Sequence, residues 1–92
     1  MSLPFNQIKK SNLIYIRTFS ELTDVDEFVW HRDEEDRLVI CERETDWMLQ
    51  IDNDLPIELS NCRIYIPSGT WHRIIKGSGD LEVQIQINNK DE

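Results

Sequence analysis

The chain has 92 residues, of which 18 are acidic and 10 basic, so its formal net charge is −8 at pH 7. This length is enough for one small domain with a thin hydrophobic core, and a second copy of the chain would bury more surface. The acidic excess argues against nucleic acid or an anionic membrane as a partner, because both require a basic surface. No run of residues approaches the roughly 18 apolar residues of a membrane span, and residues 1–6 do not have the pattern of a signal peptide.

The two cysteines, Cys41 and Cys62, are not at the spacing of a metal-binding knuckle. Two cysteines are also too few for a disulfide framework. The pattern is typical of reduced, partly buried thiols, so we expect a cytoplasmic protein.

The predicted elements are short strands separated by turn signals. Residues 1–12 predict an N-terminal arm or an edge segment. The strands that follow are rich in β-branched and aromatic residues, and they are predicted at 13–17, 27–31, 38–43, 47–52, 55–59, 62–66, 70–75 and 81–87. Short strands with frequent turns and no long helix predict an all-β sandwich or barrel. We expect a single domain over residues 1–92, with the barrel at 13–88.

Residues 64–74 predict a strand, a sharp turn and a second strand. Pro67 ends the first strand because it has no N–H to donate to a sheet. Gly69 supplies a backbone conformation that other residues adopt only at a cost. His72 stands at the start of the second strand, where its side chain is well placed to face a pocket.

The pattern Pro67-x-Gly69-x-x-His72 after a hydrophobic strand resembles the second motif of the cupin superfamily. The Trp-His-Arg-Asp sequence of residues 30–33, followed by Glu35-Asp36 and then by the Leu-Val-Ile of residues 38–40, resembles the first motif of small single-domain cupins. The resemblance covers about residues 25–87. It implies an antiparallel, RmlC-like jelly-roll β-barrel, often dimeric, with a pocket inside. In that family the pocket often holds a divalent metal, bound by a His-x-His pair, a Glu and a later His.

This sequence departs from both motifs. Asn61 stands where the second motif expects a glycine, and Asn is the residue that next best tolerates a left-handed backbone. The first motif is degenerate: His31 is kept, Asp33 replaces the second His and Arg37 replaces the Glu. The resemblance therefore supports the fold more strongly than the metal site.

Three interpretations of the pocket remain open. In the first, His31, Asp33 and His72 bind one divalent metal (Fe, Mn, Ni or Zn), since two imidazoles and a carboxylate form a known type of ligand set. In the second, Asp33 pairs with Arg37 and no metal binds, because a guanidinium cannot be a ligand and repels a cation. In the third, Arg37 binds the carboxylate or phosphate of a small ligand, with His31 or His72 as a general base.

Two other groups of residues have less specific interpretations. The acidic residues 33–36 are predicted to form a solvated loop, in which the glutamates are only reserve metal ligands. The tryptophans are predicted to pack in the core or at an interface, at positions Trp30, Trp47 and Trp71. Trp71 precedes an inward-facing His72, so strand alternation turns it to the opposite face.

The sequence favours a cupin that binds a small polar or anionic ligand, as a binding, sensor or accessory module, and that forms a homodimer. The alternative is a metal-dependent enzyme of the isomerase, epimerase or dioxygenase type that uses His31, Asp33 and His72. The residues themselves do not identify a catalytic group.

Overall fold

The computed structural model describes residues 5–88, which form eight strands and one short 3₁₀ helix at Val25–Glu27. The strands, in chain order, are β1 (Asn6–Ser11), β2 (Ile14–Phe19), β3 (Asp36–Cys41), β4 (Met48–Ile51), β5 (Ile57–Glu58), β6 (Cys62–Ile66), β7 (His72–Ile75) and β8 (Leu81–Asn88).

The strands form two antiparallel sheets. One has the order β1-β2-β8-β3-β6, and the other has the order β5-β4-β7. This arrangement confirms the predicted all-β jelly roll. Within residues 5–88, no pairing of the named strands joins the two sheets. The jelly roll is therefore a double-sheet form rather than a continuously closed barrel.

The core lies between the sheets and follows directly from strand alternation. Along β8 the buried residues Leu81, Val83 and Ile85 alternate with partly exposed polar residues. From the smaller sheet, Leu49 enters the same core, and Trp47 just before β4 is fully buried. This period of two is the pattern that places one face of each strand inside.

The strand predicted at 27–31 is wrong. Residues 25–27 form the 3₁₀ helix, and residues 28–30 lie in no regular element. The Asp24 side chain accepts a hydrogen bond from the backbone N–H of Asp26, a local cap that favours a turn over a strand. Only His31 joins a sheet-like contact, as an isolated bridge to His72.

The three tryptophans have different surroundings. Trp47 belongs to the core, as the sequence predicted for this residue type. Trp30 and Trp71 are 39% and 43% exposed, and each lies beneath an arginine, Arg73 and Arg32 respectively. Trp71 therefore does face away from the buried His72.

Cys41 and Cys62 lie opposite each other on β3 and β6, and both thiols are free. Over residues 5–88, the chain forms no helix with the length and hydrophobicity needed to cross a bilayer.

Candidate functional site

The turn between β6 and β7 positions one end of the site. The backbone N–H of Thr70 donates to the carbonyl of Pro67 at 3.3 Å, and Gly69 has a φ of +76°. A positive φ at the third residue is what a type II turn requires, so glycine suits this position. At the other end of β6, Asn61 has a φ of +47°. Both positions thus have the left-handed backbone that their residue types tolerate.

The acidic loop fastens this turn in place. The N–H of Ser68 donates to Asp36 Oδ1 at 2.8 Å, and the N–H of Gly69 donates to the carbonyl of Asp33 at 2.8 Å. Asp36 is only 1% exposed. The prediction of a solvated loop over 33–36 is therefore wrong for Asp36, because its carboxylate is buried as an acceptor for the turn. Such charge-assisted hydrogen bonds are stronger than neutral ones.

His31 and His72 face each other through their backbones. Each donates its N–H to the carbonyl of the other, at 3.0 and 2.9 Å. Directly opposite residues in an antiparallel pair project their side chains from the same face. The two imidazole rings are accordingly 4.3 Å apart between centroids. His72 is 5% exposed, whereas His31 lies at the exposed rim.

Backbone carbonyls fix the tautomer of both imidazoles. His31 Nδ1 lies 3.1 Å from the carbonyl of Val29, and His72 Nδ1 lies 2.8 Å from the carbonyl of Thr70. A carbonyl can only accept, so each Nδ1 must donate a proton. In the neutral rings both Nε2 atoms then carry lone pairs, which is the arrangement that orients histidine as a metal ligand.

Asp33 completes the cluster. Its Oδ2 atom lies 3.3 Å from His72 Nε2 and 3.5 Å from Arg37 Nε, and it is buried without a hydrogen-bond partner. His72 lowers the pKa of Asp33, chiefly as the hydrogen-bond donor that it becomes when its ring is doubly protonated. Burial opposes this by raising the pKa, and the charge of Arg37 lowers it further. With His72 neutral, two lone pairs face each other across 3.3 Å.

These three residues fit a divalent metal. Their ligand atoms all lie within 4.8 Å of one another. Two ligands at about 2.1 Å from one ion are about 3.4 Å apart at the tetrahedral angle, so binding requires the most distant pair of ligand atoms to approach by up to about 1.4 Å. The exposed ring of His31 is free to make that shift. A cation would also satisfy the unpaired Asp33 oxygen and the facing lone pair of His72.

Arg37 lies beside this cluster and lines the cavity, rather than pointing into solvent. Its side chain is 18% exposed, and its Nη2 atom lies 3.4 Å from Glu35 Oε1. The residue therefore stands between two carboxylates, Asp33 and Glu35. The observed contacts are compatible with the ion-pair interpretation as well as with the ligand-binding one.

A cavity of about 300 Å³ opens between the two sheets. Aliphatic side chains and Phe19 and Phe28 form most of its wall, and His31, Asp33, Arg37 and His72 lie together on it. Sequence reasoning missed two charged residues of this wall, Arg17 on β2 and the exposed Glu27 at the end of the 3₁₀ helix. For Arg17 the available signal was its spacing of two residues from the apolar Phe19, since alternate residues of a strand share a face.

The sequence matches no protein-family model and no curated protein sequence. Solved structures do share its fold. One is a cupin superfamily protein of Desulfitobacterium hafniense DCB-2, with a TM-score of 0.61 and 19% identity, covering 92% of this chain and 76% of that one. Its similarity, with that of other cupins, confirms the small cupin fold.

Two enzymes have the same fold over part of their length. The DMSP lyase DddQ from Ruegeria pomeroyi DSS-3 has a TM-score of 0.65 and 10% identity, covering 86% of this chain and 39% of that chain. FeII HppE, solved in complex with substrate, has a TM-score of 0.64 and 12% identity, covering 97% and 55%. This chain thus spans well under two thirds of the length of either enzyme.

Proposed function

We propose that this protein binds a small molecule in the cavity between its sheets, next to one divalent metal held by His31, Asp33 and His72. The observation that carries this proposal is the cluster of unused ligand atoms. In the neutral rings both Nε2 atoms have their lone pairs available, and the buried Asp33 Oδ2 has no hydrogen-bond partner. Buried polar atoms are normally satisfied, so such a cluster favours a cation.

Three protein ligands leave open positions for water or substrate, as in catalytic rather than structural metal sites. A metal there would supply a Lewis acid that polarises and orients a bound oxygen. The occurrence of FeII and substrate together in the HppE neighbour supports this reading. The proposed class is therefore a metal-dependent enzyme, whose metal is Fe, Mn, Ni or Zn.

A metal-free binding module is the second candidate, and one observation favours it. Arg37 Nε lies 3.5 Å from the same Asp33 oxygen, so the guanidinium partly balances the negative charge that a metal would otherwise balance. In this alternative the cavity binds its ligand through Arg37 and the histidines, without chemistry of its own.

Titration with Co²⁺ tests the proposal, because Co²⁺ bound to nitrogen and oxygen ligands gives visible absorption bands. We expect saturation at about one equivalent, with loss of the bands in His72→Ala. Glu34→Ala is the matched control, since this exposed acid lies in the same loop as Asp33. Failure of the wild-type protein to bind Co²⁺ would leave the metal-free module as the function.

We also propose a cytoplasmic homodimer, for which the exposed Trp30 and Trp71 offer apolar area. Light scattering after size-exclusion chromatography would give twice the chain mass if this is right, and the mass of one chain if it is wrong.

A further inference from the structure

Arg17 is held on the cavity wall by uncharged partners. Its Nε and Nη2 atoms both donate to Gln7 Oε1, at 2.9 and 2.6 Å. The carbon of its guanidinium lies 4.0 Å from the centroid of the Phe5 ring. These contacts fix the plane of the group and leave its other N–H donors unused by either partner.

The charge of Arg17 lacks a close counter-ion. Among residues 5–88, the carboxylates within 4.0 Å of arginine lie next to Arg37 or Arg43, and none lies that close to Arg17. Burial lowers the pKa of Arg17 to about 10, with the charge of Arg37 acting in the same direction and Asp33 opposing it. The guanidinium is still charged at neutral pH, so a partly buried cation faces the cavity, and its hydrogen-bond and ring partners are both neutral.

Arg37 brings a second guanidinium to the same cavity. Its Nε–H is buried and makes no hydrogen bond. The charged residues on the cavity wall are two arginines, Asp33 and the exposed Glu27. Together with Glu35, the second carboxylate beside Arg37, this set has two positive and three negative charges, so a divalent ion would leave a net charge of +1, in a protein whose net charge is −8. The excess is what an anionic ligand would neutralise.

We propose that Arg17 and Arg37 together bind the anionic group, a carboxylate or a phosphoryl group, of the small molecule in this cavity. The inference deepens the proposed function, and it rests on that proposal for the ligand's place beside the metal. A planar guanidinium matches the geometry of both anions, with two N–H donors to two oxygens. The aliphatic wall and the volume of about 300 Å³, near the lower end of ligand pockets, predict a small molecule with a short apolar body.

Calorimetric titration with isobutyrate, methylphosphonate and the neutral isobutyramide tests this inference, on metal-free and Co²⁺-saturated protein. We expect one of the anions to bind at least about tenfold more tightly than isobutyramide. The tighter of the two identifies the ligand as a carboxylate or a phosphoryl compound. Arg17→Gln and Arg37→Gln should each weaken that anion at least about tenfold. The exposed Arg63→Gln is the matched control and should change the affinity less than about twofold.

Arg17→Lys distinguishes the effect of the paired N–H donors of the guanidinium from the effect of its charge. It also replaces Arg17→Gln in the test if that variant fails to fold. We expect intermediate affinity, because lysine keeps the charge and loses the paired donors. Equal binding of isobutyramide and the anions would overturn the inference, as would unchanged anion affinity in Arg17→Gln. If the wild type binds no Co²⁺, the metal proposal fails, while the metal-free titrations still decide for or against the two arginines.

Discussion

Replacing Arg37 by glutamine should tighten metal binding, although it removes a group from the site. The reason is competition for one oxygen: Arg37 Nε lies 3.5 Å from Asp33 Oδ2, which is also the proposed metal ligand. A metal must take that oxygen away from the guanidinium. In Arg37→Gln the oxygen has no such cationic partner, so the metal displaces less.

Coulomb's law gives the size of the effect. Two unit charges 3.5 Å apart attract by about 1.2 kcal/mol at the dielectric constant of water, and by about 4.7 kcal/mol at an effective value of 20. The Arg37 and Asp33 side chains are 18% and 16% exposed, so the aqueous figure is the lower limit. Each 1.4 kcal/mol is a factor of ten in affinity, so Co²⁺ should bind at least about eightfold more tightly to Arg37→Gln.

The assay is a Co²⁺ titration of wild type, Arg37→Gln and Arg63→Gln, followed by visible absorption or by competition with a chelator. Arg63→Gln removes an exposed positive charge from outside the site and so corrects for the general charge effect. A loss of stability in metal-free Arg37→Gln would not distinguish the metal site from the metal-free Asp33–Arg37 ion pair, because both lead us to expect it. Unchanged or weaker Co²⁺ binding in Arg37→Gln would show that Arg37 and the metal do not compete for Asp33 Oδ2.

Three further predictions concern the scaffold of the site. Asp36→Ala removes the buried acceptor of the β6–β7 turn, and the loss of a charged hydrogen bond of about 2 kcal/mol should lower Tm by roughly 10 °C. Gly77→Ala should cost about 1–3 kcal/mol of unfolding free energy in urea, because the new Cβ would lie 2.6 Å from the backbone nitrogen of Trp47. Hydrogen bonds from Ser78 lower the pKa of Asp46 from 3.8. The stabilisation from the ionised Asp46 is therefore present above pH 3.8 and is lost as the pH falls through the folded-state pKa. In Asp46→Asn the urea midpoint should depend less on pH below about pH 4.

Each of these has a result that would contradict it. Glu34→Ala, an exposed neighbour in the same loop, is the control for Asp36→Ala, and equal Tm values for the two variants would mean that the turn does not depend on the buried carboxylate. A Gly77→Ala variant as stable as wild type would show that the loop can move away from Trp47. A pH profile for Asp46→Asn that runs parallel to that of wild type would show that Asp46 contributes no pH-dependent stability.

The fold was predictable because the residues within each strand and at its ends indicate where the strand lies. Strand β6 begins and ends where the sequence predicts, since Pro67 terminates it and a left-handed Asn61 precedes it. The segment at 27–31 was not predictable in the same way. Its valine and aromatics favour a strand, but an Asp24 cap and the lack of a continuous partner strand leave it irregular.

The site was predictable only in part, for a physical reason. His31, Asp33 and His72 came from motif positions, and the structure brings them together. Arg17 and Asp36 were missed as functional residues, because the direction of each side chain depends on strands and turns far away in sequence. The spacing of Arg17 from Phe19 shows only that the two side chains share a face of the strand, and which face lines a cavity depends on the register with β8.

The most direct test of the metal centre is the elemental content of the protein purified without a metal-affinity step, measured by mass spectrometry for wild type and His72→Ala. We expect about one equivalent of Fe, Mn, Ni or Zn per wild-type chain, and its loss from His72→Ala. A wild-type protein that contains none of these metals, and takes up none when an excess is added, would contradict this expectation and would leave a metal-free ligand-binding protein.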